Sequence, residues 1–282
     1  MLQVRGVMLK TRIITAFILL FGLLAAAFTL PAPLWLAFCA LVCGGAAWEW
    51  GGLARFATPG RTIFAVLTGV LCGVLGALSG LGGASAPVIG LLAPLYLASA
   101  LFWLLAIPFW LQLKWRLSSA GMAIAVGLVV MVPPALALAH LRQLGPWMLL
   151  AIMAMVWVAD IAAYFSGRAF GRRKLAPGIS PGKTWEGAFG AAAGVSVFGY
   201  VLLFLFAALD TPGWLYTAAF PLLLAFTAVS IIGDLFESLL KRQAGIKDSG
   251  AILPGHGGIL DRIDSLTSTL PMAGLLALWL AR

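Results

Sequence analysis

The sequence has little charge and little cysteine. Only 10% of its 282 residues are charged and 62% are hydrophobic, whereas an average soluble domain carries roughly 25% charge, so a water-soluble globular domain is excluded. The three cysteines, Cys39, Cys43 and Cys72, lie in apolar stretches and form no CxxC pair. This usage excludes a disulfide framework and a cysteine zinc site.

Long apolar runs dominate instead. A bilayer-spanning helix needs about 20 apolar residues, so the chain has room for roughly nine spans and for no separate soluble domain. The runs predict spans at about 13–30, 34–53, 63–81, 88–111, 120–141, 147–166, 185–208, 214–240 and 266–281. Pro94 and Pro108 leave open whether the fourth span is one kinked helix or two pieces.

The predicted fold class is therefore an all-α polytopic membrane protein with a single transmembrane domain, residues 1–282. Within it, residues 1–145 are expected to supply structural, lipid-facing or dimer-forming spans. Residues 146–282 are expected to supply the catalytic spans and their cytoplasmic loops.

The basic residues indicate the orientation of the spans. With the N-terminus in the cytoplasm, 16 of the 18 lysines and arginines fall inside, and only Arg142 and Arg282 fall outside. This bias predicts nine spans, N-terminus in and C-terminus out, and it explains the +9 net charge without nucleic-acid binding. Arg5, Lys10 and Arg12 resemble the start of a secretory signal, but the long apolar run without a cleavage site favours an uncleaved first span.

The acidic residues carry the functional signal. Of nine in total, only Glu49 precedes position 160, and seven fall at the predicted cytoplasmic ends of spans six to eight or in the loops there. The seven are Asp160, Glu186, Asp234, Glu237, Asp248, Asp261 and Asp264. An unpaired carboxylate near hydrocarbon costs roughly 3 kcal/mol, so this clustering predicts a site. Asp160 is expected either to join that site or to pair with Arg168.

The end of the eighth span carries a polar stripe. If the helix continues, Asp234, Glu237, Ser238 and Lys241 share one face. One interpretation is structural, with Asp234 paired to Ser238 and Glu237 paired to Lys241. The other interpretation is a catalytic face.

The following loop adds glycines and two further aspartates. Its glycines at 255, 257 and 258 would let backbone N–H groups approach an anion, as in phosphate cradles. Asp261 and Asp264 point the same way on a helix start, and with Asp234 they suit magnesium, which usually also binds substrate phosphates. Alternatively, these aspartates cap the ninth helix. The other candidate phosphate-binding residues here are Arg242, Lys247, Asp248, His256, Gly257, Gly258 and Arg262, and His256 fits a loop hydrogen-bonding role equally well.

A second cytoplasmic loop offers groups that bind phosphates. The candidates are Arg172, Lys174, Ser180, Lys183 and Thr184. Gly182-Lys183-Thr184 looks like the end of a Walker motif, but the earlier glycine would have to stand at Pro177, which excludes a P-loop. Arg172 and Lys174 are alternatively topology anchors that bind lipid headgroups.

Glu49 is isolated in the N-terminal half. Trp48 and Trp50 beside it predict an interfacial aromatic belt. Glu49 itself is expected to pair with Arg55 and is assigned no chemistry.

The run from Ser238 to Asp264, S-x-L-K-R-x4-K-D-x-G-x2-L-P-x-H-G-G-I-x-D-R-I-D, resembles the signature of the phosphatidate cytidylyltransferase (CDP-diacylglycerol synthase) family. The blocks at 160–164, 170–171 and 180–184 are also similar to bacterial members of that family. The resemblance covers a little under half of the chain, with residues 46–50 as the main contribution from the first five spans.

The resemblance implies an enzyme that transfers CMP from CTP to phosphatidate, giving CDP-diacylglycerol and pyrophosphate for phospholipid biosynthesis. It implies magnesium held among Asp234, Asp261 and Asp264, with Ser238 and Lys241 beside them, and it leaves a second cation open. It further implies a homodimer among the lipids of the bacterial inner membrane, with the site facing the cytoplasm. A CTP-dependent lipid-alcohol kinase would keep a similar metal site, and a cation-coupled transporter would also place acids in a membrane, although with repeats and midplane charges.

Overall fold

A computed structural model describes the backbone of residues 2–83, 87–206 and 213–280 and the side chains of 13–83, 87–205 and 213–280. The side chains of Arg5, Lys10 and Arg12, which the orientation argument counts, therefore lie outside the described part, as do Asp210 and Arg282.

The chain folds into ten helices over the described ranges. They are α1 (Leu2–Thr29), α2 (Ala32–Leu53), α3 (Thr58–Leu78), α4 (Ile89–Leu101), α5 (Ile107–Leu113), α6 (Ala120–Gln143), α7 (Pro146–Phe170), α8 (Trp185–Phe206), α9 (Gly213–Ala244) and α10 (Leu260–Leu280). Eight described segments are long and apolar enough to cross a membrane, and Ile13–Thr29 is a shorter apolar helix. The all-α polytopic prediction is confirmed, whereas the count of nine and the orientation stay predictions.

The predicted fourth span is a single apolar segment, Ile89–Leu113. A π-helical turn at Phe102–Ala106 joins α4 to α5, and Pro108 follows in the first turn of α5. Because proline has no N–H and its ring clashes with the preceding turn, a widened turn here lets the helix continue.

Helices α6 and α10 form the centre of the bundle. Of the apolar windows in these helices, 72% and 50% are buried, against 11% for α8. Helix α10 packs against α6, α9 and α4, while α2 pairs with α3 and α7 pairs with α8. The helix whose first turns carry Asp261 and Asp264 is therefore held on several sides.

An aromatic cluster fixes the rotation of α9. The Phe236 ring is buried and meets Trp103 and Trp110 edge-on, with ring centroids 5.5 and 5.6 Å apart, and Trp50 lies 6.3 Å away. Such edge-to-face pairs contribute about 1 kcal/mol each beyond area burial. Trp50 is fully enclosed and donates from Nε1 to the Ala123 carbonyl at 2.9 Å, so its assignment to an interfacial belt is wrong.

Arg142, an exception to the basic-residue bias, has a structural role. Its Nε donates to the Ala27 carbonyl at 2.9 Å, and its Nη2 donates to the Leu30 carbonyl. These carbonyls lie at the end of α1, where no helical N–H follows to satisfy them.

One part of the chain is not helical. Strands β1 (Lys174–Ala176) and β2 (Ser180–Thr184) form an antiparallel hairpin in which Lys174 lies opposite Thr184. Strand β2 runs directly into α8, so the second cytoplasmic loop of the prediction contains a β-hairpin between α7 and α8.

Candidate active site

The polar stripe of α9 is helical throughout, because α9 extends to Ala244. Ser238 Oγ donates to Asp234 Oδ1 at 3.2 Å, and Lys241 Nζ donates to Glu237 Oε2 at 2.9 Å. Both predicted pairings are confirmed. These pairings are not the only contacts of the stripe, because Asp234 and Lys241 also form ion pairs with residues of other elements.

The hairpin contributes one cation to this stripe. Lys183 Nζ lies 2.6 Å from Asp234 Oδ2, so β2 is tied to α9. Asp160 of α7 interacts electrostatically with both Lys183 and Asp234, whereas Arg168 donates to Tyr164 Oη at 3.2 Å. Of the two alternatives for Asp160, the structure therefore favours membership of the site.

Lys241 links the stripe to the start of α10. Its Nζ lies 2.7 Å from Asp261 Oδ1. The other carboxylate oxygen, Asp261 Oδ2, accepts the backbone N–H groups of Ser249 and Gly258, each at 2.8 Å. Both oxygens of Asp261 are thus committed, and its orientation is fixed by the loop that precedes α10.

Asp264 connects the two halves of the site. Its Oδ1 accepts the N–H of Ser265 at 2.8 Å, and its carboxyl group interacts electrostatically with Asp234 and lies beside that of Glu237. The Oε1 atom of Glu237 is buried without a hydrogen-bond donor. The carboxylates of α9 and α10 therefore form one continuous cluster that Lys183 and Lys241 bracket.

The donor chemistry of this cluster fits a hard, oxygen-preferring cation. The carboxyl groups of Asp264 and Glu237 lie within hydrogen-bonding reach of each other, an arrangement that needs either a shared proton or a cation beside them. Among the described side chains (13–83, 87–205 and 213–280), however, no three acidic, histidine or cysteine side chains converge on one metal position. The ammonium groups of Lys183 and Lys241 engage oxygens of Asp234 and Asp261 instead.

The glycine-rich loop encloses a carboxylate of the protein itself. Glu49 Oε1 accepts the N–H of Ile259 at 3.0 Å, and its Oε2 accepts the N–H of Leu260 at 2.8 Å. Glu49 therefore occupies the N-terminal end of α10, the capping position proposed for the aspartates. The expected pairing with Arg55 is wrong, since Arg55 Nη2 donates to the Gln243 carbonyl at 3.0 Å.

The remaining candidate residues take part in none of the ion pairs and hydrogen bonds described above for the carboxylates of this cluster. Thr184 is buried and its Oγ1 accepts the Gly187 N–H at 3.1 Å, which caps α8, while the backbone N–H of Arg172 donates to Glu186. His256 is half-buried, its Nδ1 has no partner, and its carbonyl accepts Arg262 Nε at 3.1 Å. Ser180 is half-buried and Gly257 has a positive φ, while the exposed candidates are Arg172, Lys174, Arg242, Lys247, Asp248 and Arg262.

In the prediction from the sequence, Glu49 has no chemistry, and Glu237 lies on the polar stripe without a catalytic or metal-binding role of its own. The available signal was their position in otherwise apolar helices, because a buried carboxylate persists there only with partners. For Glu49 those partners lie 200 residues and more along the chain, so the partners themselves were not predictable from local pattern.

Comparisons with known proteins show what the chain as a whole is similar to. Residues 10–279 match the model of a family described as the cytidylyltransferase family. A phosphatidate cytidylyltransferase of Pseudomonas aeruginosa is 42% identical over 283 residues, which covers 97% of this chain and 98% of the relative. Proteins of the same name from Haemophilus influenzae and Brucella suis are 47% identical over 127 residues and 54% identical over 117 residues. These two alignments cover 45% and 42% of this chain and 44% and 42% of the respective relatives.

Proposed function

Because the chain belongs to the cytidylyltransferase family, we propose that it transfers CMP from CTP to phosphatidate in the membrane. A phosphate oxygen of phosphatidate attacks the α-phosphorus of CTP, the bond to the β-phosphate oxygen breaks, and pyrophosphate leaves. The lipid product is CDP-diacylglycerol.

The observation that carries this proposal is the alternation of carboxylates and ammonium groups across three elements. Lys183 of β2 forms an ion pair with Asp234 of α9, and Lys241 of α9 forms an ion pair with Asp261 of α10. Both substrates are polyphosphate or phosphate anions, and both lysines stand where such anions would replace a carboxylate as partner.

The nucleophile needs no protein base. A phosphate monoester has a second pKa of about 6, so it is largely dianionic at neutral pH. The work left to the protein is to align two anions and to neutralise the charge of the transition state. Lys183, Lys241 and the Ser238 hydroxyl are the groups proposed for this role. Thr184, Ser180 and the exposed basic residues Arg172, Lys174, Arg242, Lys247 and Arg262 are proposed to attract and hold CTP.

We propose that Asp234, Asp261 and Asp264 hold magnesium beside these phosphates, with Glu237 as a neighbouring oxygen donor. When bound, magnesium would neutralise phosphate charge and orient the substrate oxygens. The cluster of acceptors around Asp264 supports this assignment.

The site is proposed to face the cytoplasm of a bacterial inner membrane, and the enzyme is proposed to act as a homodimer. The bias of the basic residues supports the orientation. The orientation is tested with the variants Arg116→Cys and Leu144→Cys, which place one new cysteine beyond each end of α6. Spheroplasts are treated with a membrane-impermeant maleimide, and the native Cys39, Cys43 and Cys72 are buried. Only the Leu144 cysteine should react, and labelling of the Arg116 cysteine instead would invert the orientation. Mass photometry in nanodiscs tests the dimer.

The decisive experiment uses the purified enzyme in nanodiscs that contain phosphatidate, with CTP labelled at the α- or the γ-phosphate. We expect the α-label in lipid and the γ-label in pyrophosphate, both only with magnesium. The γ-label in lipid, with diacylglycerol as acceptor, would identify a lipid kinase instead. Ion flux in liposomes that does not require CTP would identify a transporter.

A further inference from the structure

Glu49 lies near the C-terminal end of α2, far in sequence from the site, and its side chain has no exposed surface. Its carboxylate accepts three hydrogen bonds from the loop before α10: from the backbone of Ile259 and Leu260 and from Ser249 Oγ, the last at 3.0 Å. An anion is favoured at this position because the helix N-terminus presents unpaired N–H groups.

The loop backbone is built closely around this carboxylate. A Cβ atom placed on Gly250 would overlap Glu49 Oε1, and one placed on Gly258 would overlap Glu49 Oε2. For Gly250, the nearest atoms are all from the Glu49 side chain. The glycines here make room for a carboxylate of the protein itself.

The same loop residues hold Asp261. Ser249 gives its hydroxyl to Glu49 and its backbone N–H to Asp261 Oδ2. Gly258 gives its N–H to Asp261 Oδ2, and the next two N–H groups go to Glu49. The loop conformation that orients Asp261 towards Lys241 is therefore also the one in which the loop binds Glu49.

We propose that Glu49 is a positioning residue for cytidylyl transfer, which acts through the loop 249–260 to set the orientation of Asp261. This inference rests on the proposed function. It assigns Glu49 no contact with CTP or lipid, so loss of Glu49 should lower turnover and magnesium response more than it affects nucleotide binding.

The first test is Glu49→Gln, which keeps the shape but turns an amide NH₂ towards N–H donors of the loop. Groups that orient metal-binding residues typically contribute about 10- to 100-fold to activity or metal affinity. We expect a fall in kcat of that size and a rise in the magnesium concentration for half-maximal rate, with the KM for CTP within about twofold. Ser249→Ala removes only the hydroxyl donor and should cause a smaller change in the same direction. If Glu49→Gln does not fold, Ser249→Ala provides the same test.

The second test is a double-mutant cycle with Gly250→Ala. In the wild type this change forces the loop away from Glu49, so kcat should fall. In the Glu49→Ala background the same space is empty, so Gly250→Ala should cost no further activity. Gly121→Ala is the matched control, because nothing lies within 4 Å of its added Cβ.

Additive losses in the cycle, or a wild-type kcat in Glu49→Gln, would overturn the proposal. An unchanged magnesium dependence with a CTP KM raised in step with the loss would also overturn it, because Glu49 would then act on nucleotide binding. If the wild type releases no pyrophosphate, the proposed function fails separately. Amide hydrogen exchange then decides the positioning role: faster exchange at Ile259 and Leu260 in Glu49→Gln supports it, and unchanged protection rejects it.

Discussion

Lys241 Nζ lies between Glu237 Oε2 at 2.9 Å and Asp261 Oδ1 at 2.7 Å, so one ammonium group joins the end of α9 to the first turn of α10. The exposed fraction is 13% for the lysine side chain and 5% for each carboxylate. At this burial the pairing matters for stability as well as for chemistry, because an unpaired charge would remain out of water.

Lys241→Met should therefore reduce both activity and stability. The methionine fills the volume but leaves Glu237 and Asp261 without a cation, and breaking a buried pair costs about 3 kcal/mol or more. The measurements are pyrophosphate release and the melting temperature in detergent. Arg116→Met, which replaces an exposed cation between α5 and α6, should change neither. A Lys241→Met enzyme with the wild-type melting temperature would show that these carboxylates are not held as buried charges.

Lys183→Met should lower activity while leaving stability nearly unchanged. Lys183 and Asp234 are 24% and 29% exposed, and ion pairs near solvent contribute about 1 kcal/mol or less. We expect nearly unchanged melting but a loss of turnover of about tenfold or more, because a phosphate-facing cation is lost. The same assay and thermal scan check it. Unchanged turnover would remove Lys183 from the substrate site.

The transmembrane helices were largely predictable because a span must be about 20 apolar residues long. The prediction ended α9 at about 240 and began α10 at about 266, whereas the helices reach Ala244 and begin at Leu260. The helical turns outside the predicted spans carry Lys241, Asp261 and Asp264, which the sequence predicts to lie at helix ends. Hydropathy excludes such charged residues from a predicted span. Here Lys241 and Asp261 form an ion pair between the two helices.

The residue types of the site were predictable from the sequence, but the contacts between residues on different elements were not. Regular spacing along α9 identified Asp234 and Lys241 as sharing a face, since residues three and four apart are neighbours on a helix. The partner of Lys183 on another element and the loop around Glu49 depend on tertiary packing, which local pattern does not encode. The hairpin at 174–184 was also missed, because strands of three and five residues show too little alternation to be recognised.

Asp264→Asn should weaken the response to magnesium. Asp264 interacts electrostatically with Asp234 and lies beside Glu237, so the amide replaces one carboxylate oxygen donor of this cluster. We expect the magnesium concentration for half-maximal rate to rise about tenfold or more. Chelation of the wild type should abolish pyrophosphate release, and added magnesium should restore it. A magnesium curve identical to that of the wild type would exclude Asp264 from the proposed cation site.

The packing of α6 against α2 gives a test that is independent of chemistry. A Cβ on Gly127 would lie 2.5 Å from Trp50 Nε1 and 2.8 Å from Phe64 Cζ, so Gly127→Ala must displace the Trp50 ring. That ring donates to the Ala123 carbonyl and packs towards Phe236, beside the site. Overpacking of this kind costs about 1–3 kcal/mol, so we expect a lower melting temperature and, through Phe236, slower turnover. Gly121→Ala, six residues earlier on the same helix with open space around it, should leave turnover unchanged and raise stability by up to about 1 kcal/mol. Equal melting temperatures for the two variants would mean that Trp50 does not pack against α6 as described.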